Sequence, residues 1–566
     1  MDEISSRELW KTGSSRKDRE SHSDNRTSSD PRLNLDILRL VCDCLTDVPD
    51  VLSFAITCSA LTEDALRRRL RMAPVDLADA KMIDSFYTFI FSNQPSRAPY
   101  IYGLTILSSE HYLPFTHRSD FEMISSRLVG ILEAAVHIQY LDFNTSIGNA
   151  VFDAVVKLTT VHELRILNDV LVFQEPLLVG LPTFRSPLRS LHITGNEPIG
   201  GAIPASFLHN CLSHLAPTLE LLDLDDFPID VLPSSVTTQF TAVRSLKFRT
   251  SFAPDCDLLG VLLQLFPNLD NTLELSLPIY MEDDHAHAFH DRCEEAQRRH
   301  CWSRLDRLVC NAGIAYLLAL RCPIRRMDLE VRLPGATSHL AETLRRHCPP
   351  RLHVRISLYS GFGALDGLFP PEAADRLTHL VLFTDIGVHH GRPSHRRNYD
   401  YIRSNRFMNR LLRSIKHLRL THLHVVFRYT IYLPMRKAAP DADSVGHNGF
   451  GDGMDLEVTK ARLVDTMPTL RYLFLTTCGQ TRTGTPRNRL WEFSNNVLSR
   501  WFASKAWRVV HDGEDLHPSE SDSDVGLGSC VELSGEAAER IMEREELQLS
   551  RDEEYEVRQC ADSMGS

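Results

Sequence analysis

One pattern recurs through most of this chain and limits what it can fold into. HIQYLDF (137–143), PLRSLHITGN (187–196), TLELLDLDDF (218–227), AVRSLKFRT (242–250), TLELSLPI (272–279), PIRRMDLEVRL (323–333), RLTHLVLFTD (376–385), LTHLHVVFRY (420–429) and TLRYLFLTTCG (469–479) each approximate L-x-x-L-x-L. The closing L-x-L sets alternate side chains on one face, which is the period of a strand. Apolar stretches that suit a helix lie between copies, CDLLGVLLQLFPNL (256–269) and GIAYLLALRC (313–322) among them. A strand–helix unit of this size cannot bury its own apolar face, so such units stack into one continuous core.

Spacings between copies are uneven. Leu188 to Leu219 is 31 residues, Leu219 to Val243 is 24, and Val243 to Leu273 is 30. Regular leucine-rich repeats take roughly 20–29 residues. Residues 73–494 are therefore read as an irregular leucine-rich-repeat solenoid of strand–helix repeats, with an ordinary α/β domain as the alternative. Two interruptions, near 389–407 and 437–455, are read as loops. The first is basic and aromatic, the second rich in Gly and Asp. NNVLSRWFASKAWRVV (495–510) places Leu498, Trp501, Phe502 and Trp507 near helical spacing, and is expected as the cap that closes the array.

Ahead of the array, residues 1–30 are too polar to fold and are read as a disordered tail. In residues 31–72, Leu38, Val41, Cys42 and Leu45 recur at i, i+3, i+4 and i+7, one face of a helix. Val48-Pro49 is expected to end that helix and Asp50 to cap a second carrying Val51, Leu52, Ala55 and Ile56. A third, basic helix runs from Leu61-Thr62-Glu63-Asp64 through Arg67, Arg68 and Arg69.

The formal net charge is −12, and residues 511–566 hold 17 acidic against 4 basic side chains. The remainder then carries 57 acidic and 58 basic residues, so the acidity belongs to the C-terminal segment, read as an acidic tail with a charged helix at 535–549. A neutral body speaks against nucleic acid as the main partner. The first twenty residues lack the apolar core of a signal peptide, and stretches such as LLGVLLQLF (258–266) are too short to cross a bilayer. Thirteen cysteines without C-x-x-C pairs suit free thiols in the cytoplasm or nucleus.

Several local clusters invite chemistry. EDDHAHAFHDRCEEAQRRHCW (282–302) offers Asp283, His285, His287, His290, Cys293, His300 and Cys301, yet its spacing matches no zinc pattern and a solvated helix face is the better reading. Asp223 and Asp225 of LDLDD are read as exposed strand positions rather than ion ligands. GFGDG (449–453) lacks the Lys-Ser/Thr of a phosphate loop. No G-x-S-x-G or H-E-x-x-H occurs. No enzyme, cofactor or metal is expected. The serines of SESDSD (519–524) suit acidophilic kinases, and the basic segment around His395, Arg396 and Arg397 suits an acidic ligand or the chain's own acidic tail.

The N-terminal stretch resembles an F-box. Leu33-Asn34-Leu35-Asp36-Ile37-Leu38 stands at the start of the motif, Leu45 closes the first helix, Asp50-Val51-Leu52 opens the second, and Phe54-Ala55-Ile56-Thr57-Cys58 stands at its Val-Cys region. Asn34 occupies the usual Pro position, Thr57 the Val position, and no Trp follows Cys58. With the repeats, the chain resembles the fungal F-box proteins with divergent leucine-rich repeats. The resemblance implies an α/β protein in which a short all-α F-box-like module precedes an irregular solenoid. It also implies a substrate-recognition subunit of an SCF-type cullin–RING ubiquitin ligase, with the SCF adaptor subunit and an unknown protein substrate as partners. Leu33, Leu35, Ile37, Leu38, Val41, Leu45, Val51, Leu52 and Ala55 are the implied adaptor contacts. The alternative is a leucine-rich-repeat interaction scaffold whose vestigial F-box only caps the array.

Overall fold

A computed structural model of the chain describes residues 34–57, 59–92, 96–106, 118–144, 148–168, 180–195, 206–225, 238–249, 257–277, 283–332, 335–359, 361–389, 406–433, 454–483, 497–511 and 529–561. These residues form sixteen strands and fifteen α-helices. They divide into two compact units, residues 1–230 with 234–243, and residues 231–233 with 244–566.

The first unit opens with three short helices, α1 (Leu35–Cys44), α2 (Val48–Thr57) and α3 (Thr62–Met72). The Asn34 side chain accepts the Asp36 amide at 2.9 Å and so caps α1, a task the Pro of the motif cannot perform. Pro49 does not separate the first two helices as expected. It lies inside the first turn of α2, where its missing N–H costs nothing. Cys42, Val51, Ala55 and Ala65 form the small core of this module. Arg39 pairs with Asp64 at 3.0 Å, and the Arg68 guanidinium donates to the Leu45 carbonyl at 3.1 Å, so α1 is fastened to α3.

Six parallel strands follow: β1 (Val75–Leu77), β2 (Gly103–Ile106), β3 (Tyr140–Asn144), β4 (Glu163–Asn168), β5 (Ser190–Gly195) and β6 (Leu221–Asp225), each paired with the next in chain order. The register aligns Leu104, Leu141, Leu164, Leu191 and Leu222 as one fully buried row. Helices α4 (Ala80–Phe91), α5 (Arg118–Ala134), α6 (Asn149–Val156) and α7 (Ser206–Leu212) alternate with these strands.

The second unit continues the scheme with β7 (Ser245–Arg249), β8 (Thr272–Ser276), β9 (Leu305–Asn311), β10 (Ile324–Val331), β11 (Arg351–Ser357), β12 (His379–His389), β13 (His422–Leu433) and β14 (Tyr472–Thr483), again parallel and in order. Leu308, Met327, Leu352, Leu380, Leu423 and Leu473 make its buried row. Between the strands run α8 (Leu258–Leu265), α9 (Asp283–Arg299), α10 (Ala312–Leu318), α11 (Ala336–Arg346), α12 (Arg406–Ile415) and α13 (Leu456–Thr466). This repetition is consistent with a repeat solenoid. Step length along the second row runs from 19 residues (Leu308 to Met327) to 50 (Leu423 to Leu473), because the connections vary while the strands stay aligned.

Two expectations for the C-terminal end are corrected. The helical spacing read in residues 495–510 does not make a helix there; Val497–Val510 is a long strand, β15, antiparallel to β14. Trp501 lies over Gly479, the one residue type whose missing Cβ leaves room for the indole. The charged helix expected at 535–549 stops at Arg544. After β16 (Ser529–Glu532), α14 (Gly535–Arg544) and α15 (Arg551–Ala561) are joined by a turn. Residues 1–33, the basic segment around Arg396, the Gly-rich loop near 449–453 and SESDSD lie outside the described residues.

Candidate functional site

Two surfaces carry features that packing alone does not demand. The first is on α1 and α2. Leu35, Ile37, Leu40, Val41 and Ile56 are exposed, Leu40 by 65% and Ile56 by 79%. They are five of the thirteen large exposed apolar side chains among the described residues, drawn from a stretch of 22 positions. Of the residues singled out from the sequence, Leu35, Ile37 and Val41 are open, Leu38, Leu45 and Leu52 are half-buried, and Val51 and Ala55 are inside the module core. Leu33 lies outside the described residues. Leu40, open on the same helix, was missed because it falls off the i, i+3, i+4, i+7 series.

The second surface is the strand face opposite the leucine row. In the first unit the register aligns Asp76, Thr105, Asp142, Arg165, His192 and Asp223 across six strands. Arg165 pairs with Glu163 at 2.8 Å and sits 5.6 Å over the Tyr140 ring. Burial raises the Asp142 carboxyl above its ordinary range, against the pull of Arg165. Asp223 is buried, not exposed as its place in the pattern suggested, and meets His192 Nδ1 at 2.5 Å. Thr194 Oγ1 lies 3.1 Å from His192 Nε2, which completes a hydroxyl–imidazole–carboxylate chain. The three sit on a parallel ladder whose backbone amides are engaged by neighbouring strands, so among the described residues of these strands no pair of free N–H groups is offered to an oxyanion.

In the second unit the same face is covered by the chain itself. The row opposite the leucines reads Val309, Asp328, His353, Val381, His424 and Phe474. Helices α14 and α15 lie on it. Ala538 and Leu547 join Val381, Phe474 and Ala506 in one buried cluster, and Val557 and Cys560 join Phe383, Val426 and Cys478 in another.

Charge pairs surround these clusters. Arg325 grips the Glu546 carboxylate with two bonds, at 2.7 and 3.1 Å. Arg355 reaches Glu556 at 2.8 Å, and Arg428 lies 3.5 Å from the same carboxylate. His353 Nε2 meets Glu553 at 3.1 Å with both side chains buried. Burial works against ionising Glu553, but His353 and the Ser550 amide and hydroxyl outweigh it and bring the carboxyl down to about 2. Ser550 and Glu553 form a reciprocal cap at the start of α15. Among the described residues the C-terminal helices and their turn meet strand arginines, while the pairing expected with the segment around Arg396 lies outside the described residues.

Metal chemistry has one candidate grouping among the described residues: His379, His422 and Glu545, with ligand atoms within 4.8 Å of one another. The two imidazoles stack at 4.2 Å, and burial lowers the basicity of both, His422 to about 4. Arg351 and Arg544 stand 3.6 and 3.0 Å from Glu545, so a cation there meets two positive neighbours. In and just after α9 the suggested ligands diverge: Cys293 points into the core while His285, His287, His300 and Cys301 are exposed. No helix among the described residues is long and apolar enough to cross a membrane.

No family model matches the chain, and no curated protein matches it in sequence. Among solved structures, it is similar to a chain of the crystal structure of the Rad7 and Elc1 complex in yeast, with 16% identity over 61% of this chain and 92% of that one, and a TM-score of 0.32.

Proposed function

We propose that this chain is the substrate-recognition subunit of an SCF-type cullin–RING ubiquitin ligase. Its α1–α2 module docks the adaptor subunit, and its repeats hold a protein substrate. The reading is carried by the exposed apolar side chains Leu35, Ile37, Leu40, Val41 and Ile56, which a module serving only as a cap would turn inward. Exposed apolar side chains on short helices suit helix-in-groove recognition by another protein. Val51 and Ala55 then act from beneath, setting the angle between α1 and α2. The chain's contribution is non-catalytic: it raises the local concentration of a bound protein near a ubiquitin-charged enzyme.

Co-purification with the SCF adaptor subunit tests this, comparing the intact chain with a Leu35→Asp/Val41→Asp variant. Both positions are exposed, so the variant keeps its fold. Capture by the intact chain and loss in the variant is the expected result. No capture by the intact chain would leave the repeats as an interaction scaffold and the module as a vestigial cap.

A further inference from the structure

The turn between α14 and α15 is held in a way that a covering helix does not require. Glu546 has φ +55°, a left-handed conformation unfavourable for a residue with a Cβ. The Leu547 amide closes the turn on the Met542 carbonyl at 2.8 Å, an arrangement in which glycine is the usual choice at this place. Here the conformation is imposed from outside, by side chains of four different strands.

Three consecutive backbone carbonyls are read by those side chains. Arg351 on β11 donates to the Glu545 carbonyl at 3.1 Å, Arg326 on β10 to that of Glu546 at 2.9 Å, and His424 on β13 to that of Leu547 at 2.9 Å. A carbonyl can only accept, so His424 carries its proton on Nδ1. Both carboxylates are read as well. Arg325 and Arg351 hold Glu546, the latter at 3.1 Å, and His379 Nε2 lies 3.4 Å from Glu545. The Leu547 side chain fills the pocket of Val381, Phe474 and Ala506.

Two of the donors, Arg325 and Arg326, are also held by carboxylates of the strands. Asp306 holds Arg325 from β9 at 2.8 Å, and Asp328 holds Arg326 at 2.7 Å and Arg307 at 2.6 Å. A set of donors that reads carboxylate, carboxylate and leucine in order has the layout of a site for a short linear motif.

We propose that the β10–β13 face is a binding site for an acidic-acidic-leucine turn on a partner protein, and that Glu545-Glu546-Leu547 occupies it in cis until a partner displaces them. Strain at Glu546 and the half-exposed position of several ion pairs make the occupant exchangeable. This rests on the reading of the repeats as a partner-binding surface and is independent of the adaptor contact.

The probe is an acetylated, labelled peptide of residues 541–550, titrated by fluorescence anisotropy into the full-length chain. A covalently attached turn competes at a local concentration in the millimolar range, so the wild-type chain binds the probe weakly. Glu546→Gln/Leu547→Ala in the chain is expected to raise probe affinity at least ten-fold. Arg325→Gln/Arg351→Gln added to that variant abolishes binding, and a probe carrying both tail substitutions does not bind. Where Leu547→Ala costs the fold, Glu546→Gln alone, which removes charge but no volume, takes its place. A folded tail variant that ignores the probe at about 1 mM, or one that binds it equally without the arginines, overturns the proposal. Adaptor co-purification scored on the same variants separates failure here from failure of the ligase reading.

Discussion

Lowering the pH from 7.5 to 5 loosens α14 and α15 before the rest of the second unit, and His424 is the main reason. Burial holds this imidazole down to about 4, against the opposing effect of the Leu547 carbonyl. The free side chain titrates near 6.5. A group whose docked value lies below its free value stabilises docking while neutral. That stabilisation is complete above about pH 6.5 and is lost as the pH falls toward 4. At pH 5 the released state is favoured by a factor of about 30 relative to neutral pH, or about 2 kcal/mol. His422, lowered to about 4 by burial and by His379, acts in the same sense. Glu553 belongs to a lower window: with a docked value of about 2, its contribution is intact above about pH 4.5 and is lost as the pH falls through 2. The assay is amide hydrogen exchange, corrected for the intrinsic pH dependence of the rate. Protection of α14–α15 should fall about 30-fold between pH 7.5 and 5 while the buried leucine row of β11–β13 holds. In His424→Gln, whose amide N–H keeps the bond to Leu547, the fall should shrink. Unchanged protection at pH 5, or a loss of the same size in His424→Gln, refutes this assignment.

Two further substitutions separate the tail from the array. Leu547→Ala empties a buried apolar pocket and should cost about 2–5 kcal/mol, read as loss of α14–α15 protection while β7–β9 keep theirs; equal losses throughout would show that the tail belongs to one cooperative unit. Gly479→Ala drives a methyl into the Trp501 ring and should destabilise the β14–β15 pair by about 1–3 kcal/mol, seen as a lower midpoint in urea; an unchanged midpoint would mean that the indole yields freely.

How much of this could be read from the sequence depends on how local the signal is. The L-x-L strands were legible because alternation is a property of four or five adjacent residues, and each quoted copy coincides with a strand. Strands β4, β9 and β11 escaped the list although they carry the same leucines. In RLHVRIS, charged or polar residues occupy the alternate positions, and such a stretch reads as a solvated segment until something is known to cover it. The same blindness affected 495–510, where Trp501 and Trp507 share one parity but Leu498 and Phe502 take the other, so both faces read as apolar; only the pairing Leu473 with Trp507 shows which side chains face inward. In the N-terminal module, periodicity found the helix face but not its division of labour. Val51 and Ala55 are core, and Leu40, off the series, is among the most exposed.

The tail is the sharpest case, and it changes where a partner is to be sought. Ten of the residues between 529 and 561 are acidic and four are basic, a composition that predicts a solvated helix. The arginines and histidines that contradict it lie 123 to 221 positions away, and no pattern within either segment announces the other. Each segment alone is an unremarkable charged amphipath; the site exists only in the register that brings β10, β11, β12 and β13 side by side. The strand face opposite the leucines is thus not uniform along the chain. On β10–β13 it is occupied by α14, α15 and the turn between them. In the first unit the row from Asp76 to Asp223 carries no described segment, and Arg165 stands exposed among carboxylates. Under the proposal above, a ligand for the covered face must outcompete a covalently attached copy of its own motif, which sets its selectivity apart from that of an open strand face.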